Sequence, residues 1–287
     1  MIFPPVAAMR AGSGRWVLFR SSVKWVLGKP WRRSLYRVLC KDEHMARLVR
    51  ARPIVLRPLL RAYLDRRTPL WTRQIQFAED LSFAGERLPC ATKAALAADG
   101  WITIAKLADG FSVSFGVNDI CPEEGIWALC IRDALDRRVF QLTFGLLPGH
   151  RIMVGSVQGG RQEADFEPAA AIRAVTKLCH GIRPQMLLAE ILTGISRVWA
   201  CRSVEFVPPR YQARSRWHRA SRGIQFDYRA YFQECGMTRQ ENTVWRLPGH
   251  LPRKRLDEVE SRKRSMYRKR FAFLDAILNE CVAELAK

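Results

Sequence analysis

Three segments gather side chains able to do chemistry. Thr176-Lys177-Leu178-Cys179-His180-Gly181-Ile182-Arg183-Pro184 sets a lysine, a histidine and an arginine close together. An imidazole there can accept a proton near neutral pH, and Lys177 and Arg183 can clamp an anion such as a phosphate. Gln158-Gly159-Gly160 falls between a strand pattern and a helix pattern, where backbone N–H groups can face a phosphate. Near the C-terminus, Lys263 and Arg264 on one side and Arg268, Lys269 and Arg270 on the other bracket Met266-Tyr267. Cations in the first turns of a helix oppose its dipole, so a chain selected for stability alone would place acids there.

Each segment also has a plainer reading. Gly-x-Arg-Pro fits a helix stop, with Gly181 at positive φ and Pro184 opening the next helix. A lone His180 at such a junction is more commonly a cap than a catalyst. Paired glycines are frequent in turns. Asp257, Glu258 and Glu260 stand just upstream of the basic run and can offset it by ion pairing.

Familiar enzyme templates are absent: there is no G-x-S-x-G, H-E-x-x-H, Walker loop or G-x-G-x-x-G. The five histidines show no i,i+4 ligand pair, and the eight cysteines form no C-x-x-C, so no metal set is expected. Scattered thiols in a long chain read as buried cysteines in a reducing compartment. Glu123-Glu124 reads as solvated loop surface. Nucleic-acid modules fail as well, leaving only charge to support such a partner, which therefore ranks last.

That charge is large. Across 287 residues, 48 Lys+Arg against 27 Asp+Glu give +21, with a pI near 10.4. Residues 1–70 carry +13, residues 71–170 carry −4 and residues 171–287 carry +12. Such a field draws polyanions: nucleic acid, an anionic lipid surface or a phosphorylated ligand. No unbroken apolar run reaches the roughly 18 residues of a spanning helix. MIFPPVAAMR is a poor secretory signal, so a cytoplasmic protein, free or peripheral on the inner membrane, is expected.

The elements that must position these groups follow from periodicity. Trp16, Leu18, Phe19, Val23, Val26 and Leu27 among basic residues form an amphipathic helix, which either packs on the protein or lies on a bilayer. From about residue 100 the period becomes two. Phe111–Val117 is a half-buried strand, followed by strands at Ile126–Arg132, Arg138–Leu146 and Arg151–Val157 in an antiparallel meander. Two helical stretches broken at Pro184 then lead to a strand at Ser203–Val207. Strand, helical crossover and strand imply a parallel pair. A basic connection at Arg210–Arg222, a short helix near Asp227–Cys235, a strand at Trp245 and a terminal helix from Ser261 complete the order.

The expected fold is therefore α/β of the α+β kind: a mixed, largely antiparallel sheet flanked by helices, with helical N- and C-terminal extensions. Its expected division is a basic helical region at 1–100 and an α/β domain at 101–287.

Several blocks together resemble the VirK/YbjX family of Gram-negative bacterial proteins, over about residues 138–277. These are Phe140-Gln141-Leu142-Thr143-Phe144, Val154-Gly155-Ser156-Val157-Gln158-Gly159, the Thr176–Pro184 signature, Asp227-Tyr228, Leu247-Pro248 and Ser261–Phe271. The chain departs from the family after Val207, where Pro208-Pro209-Arg210-Tyr211 replace a Ser-Asn and a histidine, and at Gln225-Phe226, which replace His-Ala. The resemblance implies a role in virulence, envelope maintenance or resistance to cationic antimicrobial peptides, without an established reaction. The family-like reading is an envelope-associated accessory protein whose basic surfaces meet anionic lipid or lipopolysaccharide precursors, with no cofactor. The alternative is an acyl- or aminoacyl-transferase: meander, crossover and parallel strand reproduce the core order of GNAT-type folds. There Gln158-Gly159-Gly160 would cradle a coenzyme A pyrophosphate, although the GNAT glycine spacing is absent.

Overall fold

A computed structural model describes Val23, Trp25, Val26, Lys29 and residues 32–213, 226–241 and 243–286. The amphipathic helix around Trp16–Leu27 lies outside the described residues except at Val23, Trp25 and Val26, which are helical. The basic connection is described only through Ala213.

The N-terminal part is helical. Helices α1 (Arg33–Lys41) and α2 (Glu43–Ala51) meet at Asp42, whose carboxylate caps α2 by accepting from Met45 N–H at 3.0 Å. Helices α3 (Leu70–Arg87) and α4 (Cys90–Asp99) each begin directly after a proline, and α4 stops where Gly100 turns left-handed at φ 82°.

Strands β1 (Trp101–Lys106), β2 (Ser112–Val117), β3 (Trp127–Arg132), β4 (Arg138–Leu147) and β5 (Arg151–Gly159) form the antiparallel meander. Helices α5 (Pro168–Leu178) and α6 (Pro184–Val198) cross over to β6 (Ser203–Phe206), which pairs parallel to β5 from Arg151↔Ser203 to Val154↔Phe206. Helix α7 (Tyr228–Glu234) and the short strands β7 (Thr238–Arg239) and β8 (Trp245–Arg246) follow, giving the sheet order β1-β2-β3-β4-β5-β6-β8-β7. The long α8 (Ser261–Ala286) closes the described chain.

The pleat separates two chemistries. One face carries Val113, Phe115, Leu129, Ile131, Leu142, Phe144 and Val157, all buried. Helices cover it: Phe115 packs edge-on against Trp199 at the end of α6, and α8 packs on α6, with Leu278 close to Gly194. The other face is polar. Two expectations are corrected there. Strand β2 is not half-buried, because Val113–Val117 are all buried on both faces. Glu123 and Glu124 are not solvated surface; they are 1% and 4% exposed. Arg57 meets Glu123 at 2.8 Å and Arg61 at 3.5 Å, the ion pairing that a buried acid requires.

The eight cysteines are free, and five are buried, but Cys40 and Cys90 are exposed, contrary to a uniformly buried set. A single apolar core joins Leu35, Leu48, Phe77 and Leu96 to Phe115, Leu142, Leu192 and Leu278, on both sides of residue 100.

Candidate functional site

The junction between α5 and α6 is built as its sequence predicts, with one addition. Gly181 is left-handed at φ 83°, but so is His180 at φ 52°. The Gly181 N–H reaches back to the Thr176 carbonyl at 2.7 Å and the His180 N–H to Lys177, the bonding that closes a helix C-terminus. Pro184 then opens α6. The His180 ring packs edge-on against Phe273 of α8, with centroids 5.9 Å apart. No side-chain hydrogen bond to that ring occurs among the described residues, so nothing there orients it as a proton acceptor.

Arg270 ties this junction to the basic helix. Its Nε donates to the His180 carbonyl at 3.0 Å, and its guanidinium lies 4.6 Å over the Tyr267 ring. Two sequence-predicted clusters, joined by a contact across 90 residues, thus share one place. Between them opens a cleft of about 440 Å³ lined by Arg183, Arg253, Lys254 and Arg270, by Glu190, Glu234 and Glu258, and by an apolar floor of which Met186, Leu251, Phe271 and Leu274 are part. Arg183 is paired with Glu234. Arg253 contacts Glu190 at 3.6 Å and Asp275 at 3.0 Å. Burial raises the Glu190 carboxyl above its ordinary range, and the charge of Arg253 works against that rise. Among the described residues Lys254 has no ion pair or side-chain hydrogen bond.

The basic run of α8 divides by function. Arg264 Nε donates to the Val259 carbonyl at 3.0 Å, so it and Arg270 hold backbone. Glu260 offsets Arg262 at 2.8 Å and Lys263 at 3.3 Å, whereas Asp257 pairs with Arg255. Upstream acids therefore offset Lys263 but reach neither Arg268 nor Lys269, which are exposed and have no ion pair among the described residues. Lys177 is also exposed, on α5.

The glycine turn stands apart from this cleft. Gly159 still pairs with Phe140 in the sheet, and the Gly160 N–H donates to Val139 O at 2.9 Å. Helix α5 begins only at Pro168, so the turn and the helix N-terminus do not coincide. A Cβ on Gly160 would lie 1.9 Å from the Arg138 carbonyl oxygen. Close strand approach alone requires that glycine. Gly160→Ala is expected to lower thermal stability by about 1–3 kcal/mol with no ligand present, measured by denaturant unfolding. An unchanged midpoint would show that the backbone yields there.

Sequence reasoning missed Arg253, Lys254, Glu190 and Glu234. The run Arg253-Lys254-Arg255 was a usable signal, but the two glutamates sit inside helical patterns that mark them as ordinary surface acids. Among the described residues, no cluster of His, Cys, Asp and Glu could hold a metal ion, and no helix is long and apolar enough to cross a membrane.

Fold and cleft together define a mixed α/β protein with a cation-rimmed, apolar-floored groove on the helical side of its sheet. It belongs to the family described as "Protein of unknown function (DUF535)", which matches residues 14–283; this is the VirK/YbjX family that the motifs resemble. The match takes in most of the basic N-terminal region, well beyond the motif-bearing part. An uncharacterized protein of Haemophilus influenzae is 30% identical over 217 residues, covering 76% of this chain and 72% of its own. "Membrane protein LapB" of Mannheimia haemolytica is 28% identical, covering 58% of this chain and 72% of its own. "Uncharacterized protein YbjX" of Escherichia coli K12 is 31% identical, covering 54% and 48%. No solved structure matches.

Proposed function

We propose that the protein is an accessory factor of the bacterial envelope, peripheral on the inner membrane's cytoplasmic face, that engages anionic lipid or lipopolysaccharide precursors through the basic half of α8. The virulence and peptide-resistance roles implied by the family resemblance belong to this proposal. The observation that carries it is the division of labour on α8. Arg268 and Lys269 are exposed and have no ion pair among the described residues; the same helix lends Tyr267, Arg270, Phe271 and Leu274 to the cleft that holds Lys254 and an apolar floor. Cations kept free of acids cost stability through mutual repulsion, and their field draws anions to this surface. The name of the Mannheimia relative, a membrane protein, is compatible with a membrane-surface role.

The test is co-sedimentation with vesicles. The full chain is expected to pellet with vesicles containing anionic lipid and to stay in solution with neutral ones, since each Lys or Arg near such a surface contributes about 1 kcal/mol. Rising salt should release it as the Debye length shrinks. Equal binding to neutral vesicles, or retention unchanged at high salt, would replace electrostatic docking with hydrophobic insertion.

A further inference from the structure

On the sheet face away from α5, α6 and α8, pairing aligns one polar residue from each of four neighbouring strands. Ser114 of β2 stands opposite Cys130 of β3, Cys130 opposite Gln141 of β4, and Gln141 opposite Gln158 of β5. The flanking rows are Ser112, Arg132 and Arg138 on one side and Gly116, Ala128, Thr143 and Ser156 on the other. A bulge between Arg138 and Phe140 adds the buried Val139 to this side, next to Gln141.

The face has a deep end and an open end. Ser114, Cys130, Gln141 and Thr143 are at most 3% exposed, whereas Ser112, Arg132, Arg138 and Gln158 are half-buried. At the Thr143 end the polar groups are satisfied: Thr143 bonds the Glu124 carbonyl at 2.8 Å and Ser156 at 2.9 Å. Around Gln141 they are not. Among the described residues its Oε1 is buried with no hydrogen-bond partner, and its Nε2 has only a long 3.5 Å contact to Asn118 Oδ1. The Nε atoms of Arg132 and Arg138 are likewise buried and unpartnered. Arg132 spends its Nη1 on Asp136 and stacks on Trp101 at 4.3 Å. Among the described residues Arg138 has no hydrogen bond or ion pair, and Asp119 acts on it only through its field. Burial pulls the Arg138 pKa below its ordinary value, as expected of a cation held without an anion.

An orphaned buried acceptor beside orphaned guanidinium donors is a costly arrangement, and native proteins keep such groups where something else satisfies them. We infer that this polar face is a binding site for a small sugar-type anion, either a sugar phosphate or a sugar acid. The guanidinium of Arg138, helped by Arg132 at the open end, matches the planar or tetrahedral anion. Gln141, Gln158 and Ser114 supply acceptors and donors for ring hydroxyls. Cys130 is not a nucleophile here, because burial raises its thiol to about 12. The site is independent of the α8 surface, which belongs to the helical layer on the other side.

The test is thermal unfolding of the full chain with millimolar glucose 1-phosphate, glucuronate, inorganic phosphate or glucose. Glucose 1-phosphate or glucuronate is expected to raise the midpoint, with the stronger of the two identifying the anion, and to exceed both phosphate and glucose. The rise should vanish in Arg138→Gln and weaken at least tenfold in apparent affinity in Gln141→Leu. Gln141→Leu without ligand should melt at or above the wild type, because its buried orphan acceptor is gone. Anionic-vesicle binding should be unchanged in both variants, which separates this site from the surface proposed above. No shift with any probe, or a shift undiminished in both variants, would overturn the inference. So would a Gln141→Leu protein that melts lower yet retains the full ligand response.

Discussion

Asp80→Ala is expected to destabilise the protein by about 3–5 kcal/mol, while Asp80→Asn remains folded and loses a pH dependence that the wild type shows. Asp80 lies on α3 and is fully buried. The Tyr63 hydroxyl donates to its Oδ2, and Trp127 Nε1 donates to Oδ1 at 2.7 Å. Together these bonds fasten α3 to the sheet and to the segment that precedes it. An alanine leaves both donors buried without a partner and adds a void beside Phe77 and Trp127. Asparagine retains an acceptor oxygen for the indole and removes the charge.

Burial raises the Asp80 carboxyl from 3.8 to about 7, with the Tyr63 and Trp127 bonds acting against that rise. The unfolded carboxyl loses its proton near its ordinary pKa, whereas the folded one keeps it until about 7. This contribution to stability is therefore complete below about pH 4 and is lost as pH rises through 7. Its full amplitude is on the order of 4 kcal/mol. Other groups titrate over the same range. Asp42, Asp133 and Glu260 have lowered pKa values and lose their stabilising contribution on acidification. The informative quantity is therefore the wild-type stability minus that of Asp80→Asn, from urea unfolding at pH 5, 6, 7 and 8. It should fall steadily with rising pH. A flat difference would show that Asp80 stays ionised throughout, held by its two donors.

The elements whose signals are local were the legible part of the sequence. Gly181 and Pro184 punctuate α5 and α6 where their backbone preferences require it. The change from period two to helical period and back, across residues 151–207, pointed to β6 parallel to β5 because a helical crossover is the connection that a parallel pair needs. What stayed hidden depends on tertiary contacts. Alternation at Ser112–Val117 and Arg138–Leu147 shows that one side of each strand is polar, and a polar side ordinarily faces water. No local pattern reveals that Ser114, Gln141 and Thr143 are enclosed. Glu123 is likewise indistinguishable from a surface acid until Arg57 and Arg61, more than 60 residues earlier, come to it. The anion candidates fared similarly. Charge density identified the α8 run, but only geometry separates Arg264 and Arg270, which hold carbonyl groups, from Arg268 and Lys269, which do not.

That separation sets a second large expected effect. Replacing Lys263, Arg268 and Lys269 together with glutamine should weaken anionic-vesicle binding by roughly a hundredfold, from about 1 kcal/mol per cation at the surface. Folding stability should hold or rise slightly. Glutamine has fair helix propensity, Lys263 gives up only an exposed pairing with Glu260, and removing its charge relieves the dipole in the first turn. Arg270→Gln should behave in the opposite way. It removes the donor to the His180 carbonyl and the packing over Tyr267, and should cost about 1–2 kcal/mol of stability. Its effect on vesicle binding should be no greater than that of any single cation. Both variants need the same pair of measurements, an unfolding midpoint and a vesicle-binding isotherm. If the triple variant unfolds more easily and still binds, Lys263, Arg268 and Lys269 serve the fold and the α8 surface is not where anions dock. If Arg270→Gln is as stable as the wild type, the Arg270–His180 tie is dispensable. The α5–α6 junction would then be held by its own backbone bonds and by Phe273 against the His180 ring.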